Sequence, residues 1–381
     1  MNTYIAKTFP GLEEVLENEL KGIGAENTEV LKRAVKFQGS KEILYKSNVC
    51  LRTALKILVP LKTFQAKTEK TLYSAVYEYE WEALFNLYNT FVIDAVVNSG
   101  LFKHSQYASL KTKDAIVDRF RNKYNKRPSV NKKNPDFRIN LHIYNDQCTL
   151  SLDSSGESLH KRGYKVKNVK APLNEVLAAG LIMLSGWDKM SPFIDPMCGS
   201  GTLPIEAALL ANDIAPGVYR KQFGFENWHD FDPALLRSIK SQYSKRTRNK
   251  FTIHGSDISA EAIETTRNNL EKANLINHVE LFQQSISDYE PPAEKNGTVI
   301  INPPYNIKLK DKDIVAFYQQ IGNLLKKKYT GYNVWVFSHH KQALKHIGLH
   351  ATNKMTLYNG PLECKFQKYR IYEGSLKNKQ T

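Results

Sequence analysis

Apolar residues recur at helical spacing near the start of the chain, from Leu12 to Leu20. The pattern predicts a first helix that ends at Gly22 or Gly24, because glycine readily terminates helices. Shorter patterns predict small α+β domains up to about residue 155. Extended patterns cover 28–37, 91–97, 137–144 and 148–153, the last two as a hairpin, and helical patterns cover 41–49, 81–88 and 114–124.

The second half of the chain has a different pattern, in which apolar strands alternate with long helices from Phe193 onward. This alternation predicts a parallel α/β sheet. Its strands are predicted at 193–194, 252–254, 279–282, 298–301 and 332–337. The polar and basic residues that precede this half indicate a linker between domains.

A chain of 381 residues exceeds the usual size of a single core, so two or three domains are expected. No apolar run reaches the roughly 18 residues that suggest a membrane span. The first ten residues lack the pattern of an export signal, so a cytoplasmic protein without a membrane partner is expected. The scattered cysteines predict reduced thiols and no structural zinc; they are Cys50, Cys148, Cys198 and Cys364.

Basic residues outnumber acidic ones, 54 to 38, which gives a net charge of +16 and a pI near 9.4. Such an excess favours a polyanionic partner. The charge is concentrated between residues 103 and 138, where a basic amphipathic helix is followed by two loops that contain Lys and Arg. Concentrated charge of this kind indicates contact with phosphates.

A strand that ends in an acid and runs into a glycine loop occupies residues 193–202. Gly199 and Gly201 let the backbone approach a ligand at the carboxyl end of the strand, where open α/β sheets bind nucleotides. The dinucleotide-binding pattern G-x-G-x-x-G is not met, because Pro204 stands at its last position. A nicotinamide-dependent oxidoreductase is therefore disfavoured.

The next acid at a strand end is Asp257, which is suited to accept hydrogen bonds from both ribose hydroxyls of a nucleoside cofactor. It follows an insertion, roughly 212–250, that contains several basic residues and Trp228. This insertion either covers the site, touches RNA, or forms a solvated basic surface.

An apolar strand ending in Asn302-Pro303-Pro304-Tyr305 is the most specific motif in the chain. Two consecutive prolines end the strand and hold the backbone rigid beyond it. The amide oxygen of Asn302 and the carbonyl of Pro303 can accept both hydrogens of an amino group, and Tyr305 offers a face on which a base can stack.

With these three motifs in order, the C-terminal half resembles the class I S-adenosylmethionine-dependent methyltransferases that methylate amino nitrogens. The whole chain is similar to the THUMP-domain RNA guanine-N2 methyltransferases, over nearly all of its length. The similarity is carried by Pro10-Gly11-Leu12-Glu13-Glu14, Lys161-Arg162-Gly163-Tyr164, Ala171-Pro172-Leu173 and Asp195-Pro196-Met197-Cys198-Gly199-Ser200-Gly201-Thr202.

The resemblance implies an α/β protein with a Rossmann-like class I methyltransferase domain and an N-terminal α+β RNA-binding region. The implied boundaries are 1–60 for a ferredoxin-like region, 61–155 for a THUMP domain, 156–170 for a linker and 171–381 for the catalytic domain.

The resemblance also implies S-adenosyl-L-methionine as the cofactor, and a segment at 163–173 that helps to close its pocket. The implied catalytic residues are Asn302, Pro303 and Tyr305. The implied cofactor-binding residues are Pro172, Asp195, Pro196, Met197, Cys198, Gly199, Gly201, Thr202, Asp257, Ile258, Ser285 and Asn302. At the adenine contact Ser285 stands where many relatives have Asp, so Ser285 or Asp288 is expected to substitute.

The expected RNA-binding residues are Lys111, Lys113, Arg119, Arg121, Lys123, Lys126, Arg127, Lys132, Lys133, Lys161 and Arg162. The expected reaction is direct methyl transfer to guanine N2 of structured RNA, with 23S ribosomal RNA favoured as the substrate, by a monomer without a metal. The alternatives are a tRNA guanine-N2 methyltransferase, an adenine-N6 DNA methyltransferase, a glutamine-N5 protein methyltransferase, and an RNA-binding scaffold with an inactive methyltransferase fold.

Overall fold

The computed structural model describes residues 1–166, 173–244, 252–294, 296–304 and 311–371, without the side chains of 311 and 312. It divides into two compact units. The first unit contains 1–8, 17–161 and 220–239, and the second contains 9–16, 162–219 and 240–381.

Fifteen strands and ten α-helices are formed by the described residues. The strands are β1 (Asn2–Lys7), β2 (Glu26–Leu31), β3 (Ala34–Gly39), β4 (Lys56–Gln65), β5 (Thr90–Asn98), β6 (Ser129–Val130), β7 (Phe137–Tyr144), β8 (Gln147–Asp153), β9 (Phe193–Asp195), β10 (Ile253–Asp257), β11 (Glu280–Gln283), β12 (Thr298–Ile301), β13 (Asn333–Ser338), β14 (Ala351–Asn359) and β15 (Leu362–Arg370). The helices are α1 (Glu13–Gly22), α2 (Lys41–Cys50), α3 (Glu69–Tyr77), α4 (Ser105–Tyr124), α5 (Glu175–Ser185), α6 (Thr202–Ala211), α7 (Pro233–Gln242), α8 (Ala260–Lys272), α9 (Asp311–Lys328) and α10 (Lys341–Leu344).

The first unit is built on one eight-stranded sheet with the order β2-β3-β1-β4-β8-β7-β5-β6. The long strand β4 pairs with β1 on one side and β8 on the other, so the two predicted N-terminal regions share a single sheet. Strand β7 shows why this sheet forms: its apolar residues alternate with Arg138, Asn140 and His142 and face a buried core. Burying each large apolar side chain in that core contributes about 1.5–3 kcal/mol.

The second unit contains a seven-stranded sheet with the order β11-β10-β9-β12-β13-β15-β14. The first five strands are parallel, and β15 adds antiparallel to β13. Strand β12 is buried along its whole length, which matches its uninterrupted apolar sequence. The predicted parallel α/β sheet is therefore confirmed.

Two of the predicted N-terminal elements differ from the structure. Residues 28–37 form the β2–β3 hairpin rather than one strand, and Arg33 occupies the turn with φ +59°. The predicted helix at 81–88 is a single 3₁₀ turn, Trp81–Ala83. There the side chains of Asn86 and Asn89 accept hydrogen bonds from nearby backbone N–H groups, which competes with helix formation.

Residues 220–239 of the insertion belong to the first unit, whereas its described residues 212–219 and 240–244 belong to the second. Arg220 is buried, and its guanidinium donates to the carbonyl oxygens of Ser155, Glu157, Ser158 and Lys161. The start of the predicted linker is thus a tightly bonded part of the first unit. Residues 245–248, the most basic part of the insertion, lie outside the described residues.

Among the described residues, no helix is both long enough and apolar enough to cross a membrane. Nor do His, Cys, Asp or Glu side chains in this part of the chain form a group of three that could hold a metal ion.

Candidate active site

Three strands of the second sheet end in polar residues at the same edge. In the parallel register, Gly255 of β10 and Asp195 of β9 are partners, as are Val299 of β12 and Ile194 of β9. Asp257 and Asn302 therefore both emerge close to the turn that follows Asp195. The carboxyl edge of a parallel sheet is where open α/β folds bind their ligands.

The glycine loop, residues 198–201, is held in a tight turn between β9 and α6. The amide of Gly201 donates to the carbonyl of Cys198, and the amide of Cys198 donates to the carbonyl of Ser256. Gly201 has φ +76°, and a Cβ atom there would lie 2.4 Å from the Thr266 methyl carbon. Glycine is required at this position for both reasons.

The carboxylate of Asp257 is fixed by two backbone amides. One oxygen accepts from Gly199 at 3.0 Å and the other accepts from Ser259 at 2.9 Å. Each oxygen keeps a further lone pair, so the group can still accept hydroxyl donors. Asp257 thus joins the end of β10 to the glycine loop.

Asp195 is buried, and burial raises the pKa of its carboxyl group to about 8. The hydrogen bond from the Met197 amide lowers this pKa, and the charge of Asp257 raises it. Among the described residues, no cation forms an ion pair with Asp195, so its carboxylate is suited to receive a cationic group.

Asn302 follows β12 directly and is half-buried. Its amide oxygen is buried and has no hydrogen-bond partner among the described residues. Pro303 is buried and Pro304 is exposed. A buried amide oxygen that no described residue satisfies is costly, and this oxygen is free of described donors and open to one from a ligand. Tyr305 and Pro172 lie outside the described residues, so their expected roles stay predictions.

At the end of β11, the hydroxyl of Ser285 donates to the carboxylate of Asp288 at 2.7 Å. It also lies 2.8 Å from the hydroxyl of Ser287. Ser285 and Asp288 thus form one polar group, and the choice between them as the adenine contact stays a prediction. The remaining expected cofactor residues differ in exposure: Pro196, Cys198 and Thr202 are buried, Met197 is half-buried and Ile258 is exposed.

One expected RNA-binding residue has a different role in the structure. Arg162 is 1% exposed, and its Nε donates to the buried carboxylate of Glu206 at 3.3 Å. Tyr164 donates to the same oxygen at 3.1 Å. A guanidinium in this position cannot contact a phosphate, so the assignment of Arg162 to RNA binding is wrong.

The other expected RNA-binding residues fall into two groups. In the first group, each cation contacts a neighbouring side chain: Arg119 and Lys123 contact Glu82, Arg121 contacts Asp118, Lys113 contacts Asp114, Lys161 contacts Glu157, and Lys111 lies over the Tyr73 ring. The bonds from Arg119 and Lys123 lower the pKa of Glu82 to about 2. In the second group, the exposed cations form no ion pair with a described residue; they are Lys126, Arg127, Lys132 and Lys133.

The strand order, the glycine loop and the acids at the ends of β9 and β10 define a class I methyltransferase fold. A family model described as an RMKL-like methyltransferase domain matches residues 162–368, and the chain belongs to this family. Residues 66–153 match a THUMP domain, and residues 3–58 match the ferredoxin-like domain of RlmL. The predicted fold class and family resemblance are confirmed, and this family assignment makes S-adenosylmethionine the methyl donor.

Solved structures similar to the chain include SMU.472, which is described as a methyltransferase and was crystallised with SAH. It is 29% identical, with a TM-score of 0.85 over 98% of this chain and 99% of that one. A predicted N6-adenine-specific DNA methylase from Listeria monocytogenes is 28% identical, with a TM-score of 0.85 over 97% and 96%. TrmN from Thermus thermophilus, 16% identical with a TM-score of 0.70 over 97% and 100%, shares the fold.

Proposed function

We propose that the protein transfers a methyl group from S-adenosylmethionine to the exocyclic N2 of a guanosine in structured RNA, with 23S ribosomal RNA as the preferred substrate. The observation that carries this proposal is the buried amide oxygen of Asn302, which has no partner among the described residues and lies at the carboxyl edge of the sheet. An amino group of a base is the donor that this oxygen fits.

The residues present fit the cofactor at two points. The buried, uncompensated carboxyl group of Asp195 would hold the cationic amino group of the methionine part. Asp257 would accept the ribose hydroxyls while it keeps its bonds to the glycine loop. When bound, S-adenosylmethionine supplies an electrophilic methyl group on a positively charged sulfur.

Asn302 and Pro303 act on the base rather than on the cofactor. Their oxygens accept the two hydrogens of the amino group, which orients the nitrogen lone pair toward the incoming methyl group. The same acceptors stabilise the positive charge that develops on nitrogen as the new bond forms. No strong general base is required for this step, since the methylated nitrogen can lose its proton to water after transfer.

The first test is transfer of labelled methyl from S-adenosylmethionine to unmodified ribosomal RNA, transfer RNA, DNA and protein, followed by nucleoside analysis. N2-methylguanosine in ribosomal RNA is expected. The same product in transfer RNA would change the substrate and keep the chemistry. Label only in DNA or protein, or no label and no cofactor binding, would contradict the proposal.

A second candidate is methylation of adenine N6 in DNA, which the name of the Listeria monocytogenes relative favours. The Asn-Pro-Pro acceptor also fits an adenine amino group. The matches to a THUMP domain and an RlmL ferredoxin-like domain favour RNA. The nucleoside analysis above distinguishes the two candidates directly.

The exposed cations Lys126, Arg127, Lys132 and Lys133 form no ion pair with a described residue, and they are the proposed centre of phosphate binding. The double substitution Lys132→Gln and Lys133→Gln should weaken RNA binding and reduce the slope of log K against log salt by roughly 1.5, because each lost phosphate contact removes about 0.7–0.9. Filter binding between about 50 and 300 mM salt measures this slope.

The control is the double substitution Lys21→Gln and Lys36→Gln, which removes the same charge. Both lysines are exposed and pair with glutamates. Equal slopes for the two variants would identify the loops as ordinary solvated surface.

Asp195 should make cofactor binding depend on pH. Its pKa of about 8 means that the carboxyl group is mostly protonated at pH 6–7.5, whereas binding a cation requires the carboxylate. Affinity for SAH should therefore rise with pH across this window, by up to about tenfold per unit, with release of a proton. Calorimetry in two buffers of different ionisation enthalpy measures both effects.

Asp195→Asn should bind weakly at every pH and release no proton. A pH-independent affinity in the unsubstituted protein would exclude this role.

A further inference from the structure

Two backbone segments of the second unit meet at the side chain of Asn269. One is the glycine loop, and the other is the segment 162–166, called the strap below. The amide nitrogen of Asn269 donates to the carbonyl of Ser200 at 3.0 Å. Its amide oxygen accepts from the backbone amide of Val166 at 2.9 Å.

Asn269 is fully buried on α8, and both of its polar atoms are used in these bonds. A carboxamide can donate and accept at once, which neither aspartate nor leucine can do. Loss of either bond leaves a partly buried backbone group without this partner.

Helix α8 carries a second contact to the glycine loop. Thr266 lies three residues before Asn269 and therefore on the same face, and its hydroxyl donates to the carbonyl of Gly199 at 2.8 Å. The helix begins just after Asp257, whose carboxylate accepts from the Gly199 amide. The glycine loop is thus held at three backbone groups: Asp257 accepts from the Gly199 amide, and α8 donates to the carbonyls of Gly199 and Ser200.

The strap has anchors of its own in the second unit. Arg162 and Tyr164 both donate to Glu206, on the helix that follows the glycine loop. Lys165 pairs with Glu175 at 2.9 Å and donates to the carbonyl of Leu173. Asn269 is the residue that bonds the strap and the glycine loop together.

We propose that Asn269 is a positioning residue for methyl transfer, which holds the strap and the glycine loop in register and thereby sets the affinity of the cofactor site. The inference rests on the proposed role of the glycine loop in cofactor binding. It predicts that loss of the amide weakens cofactor binding with little effect on RNA binding by the first unit.

The test compares Asn269→Leu, Asn269→Asp and the matched control Asn268→Leu, whose amide contacts only the exposed Glu264 among described residues. Calorimetric titration with SAH should show Asn269→Leu weakened by about tenfold to a hundredfold, since two partly buried hydrogen bonds are lost. Asn269→Asp keeps the acceptor for Val166 and should be less affected than Asn269→Leu. Asn268→Leu should bind within twofold of the unsubstituted protein.

Two further readouts separate positioning from general destabilisation. RNA affinity of each variant should stay within twofold, and hydrogen exchange of the Val166 amide should be faster in Asn269→Leu than in Asn269→Asp. If Asn269→Leu does not fold, the SAH affinity of Asn269→Asp decides, because that variant loses the bond to Ser200 and should bind more weakly than Asn268→Leu. SAH affinity within twofold of normal in a folded Asn269→Leu protein, or unchanged exchange at Val166, would overturn the inference alone. Failure of the unsubstituted protein to bind SAH would overturn the proposed function as well.

Discussion

Replacing Asn302 with Ala is expected to lower kcat for methyl transfer by about 10²-fold or more and to change SAH affinity by less than about threefold. The substitution removes an acceptor that is needed mainly in the transition state, where positive charge develops on the amino nitrogen. The buried amide oxygen at the end of β12 has no partner among the described residues, so its loss breaks no described hydrogen bond. Single-turnover methylation of saturating RNA, beside calorimetric SAH titration, measures both quantities.

The control for this experiment is Asn353→Ala, which changes an exposed residue on β14. It should retain full activity. Full activity of Asn302→Ala would remove the central support for the proposed chemistry. A large loss of SAH affinity with unchanged kcat would instead assign Asn302 to the cofactor alone.

Replacing Arg162 with Met should lower the free energy of unfolding by about 3–5 kcal/mol. The Arg162 and Glu206 side chains are 1% and 0% exposed, and the substitution leaves the carboxylate buried with its charge uncompensated. The Oε2 atom of Glu206 already lacks a partner among the described residues. In the variant, the bond from Tyr164 to Oε1 would be the only bond between the strap and this carboxylate. Urea unfolding followed by the fluorescence of Trp187 and Trp335, both in the second unit, measures the loss.

Lys161→Met is the matched control, because Lys161 is exposed and its contact with Glu157 is exposed as well. A change within about 0.5 kcal/mol is expected there. The double variant Arg162→Met with Glu206→Leu should recover part of the stability, since an apolar pair can replace a buried ion pair. A loss below about 1 kcal/mol in Arg162→Met would show that the carboxylate does not depend on the guanidinium.

Much of the catalytic half could be predicted from local sequence. The uninterrupted apolar residues of β12, the prolines after it and the glycine loop after β9 are signals within a few positions of one another. Each reflects a constraint that acts along the chain: burial on both faces, the missing proline N–H, or the positive φ that glycine tolerates. The strand-end positions of Asp195, Asp257 and Asn302 follow from these patterns.

The contacts of charged residues could not be predicted in the same way. Arg162 looks like a phosphate ligand in the sequence, yet its partner Glu206 is 44 positions away. Arg119 and Lys123 belong to a basic segment, but both contact Glu82. A charge pattern does not reveal which cations are paired, because the partner is brought near by the fold.

The sequence by itself determined the parallel sheet, the glycine loop, the acids at strand ends and the Asn-Pro-Pro end of β12, since each depends on periodicity or on the backbone preferences of single residues. Only the tertiary structure decided that β4 joins the two N-terminal regions in one sheet, that residues 220–239 belong to the first unit, and that Asn269 bonds the strap to the glycine loop. These features depend on hydrogen bonds and packing between residues far apart in the chain, which leave no local pattern.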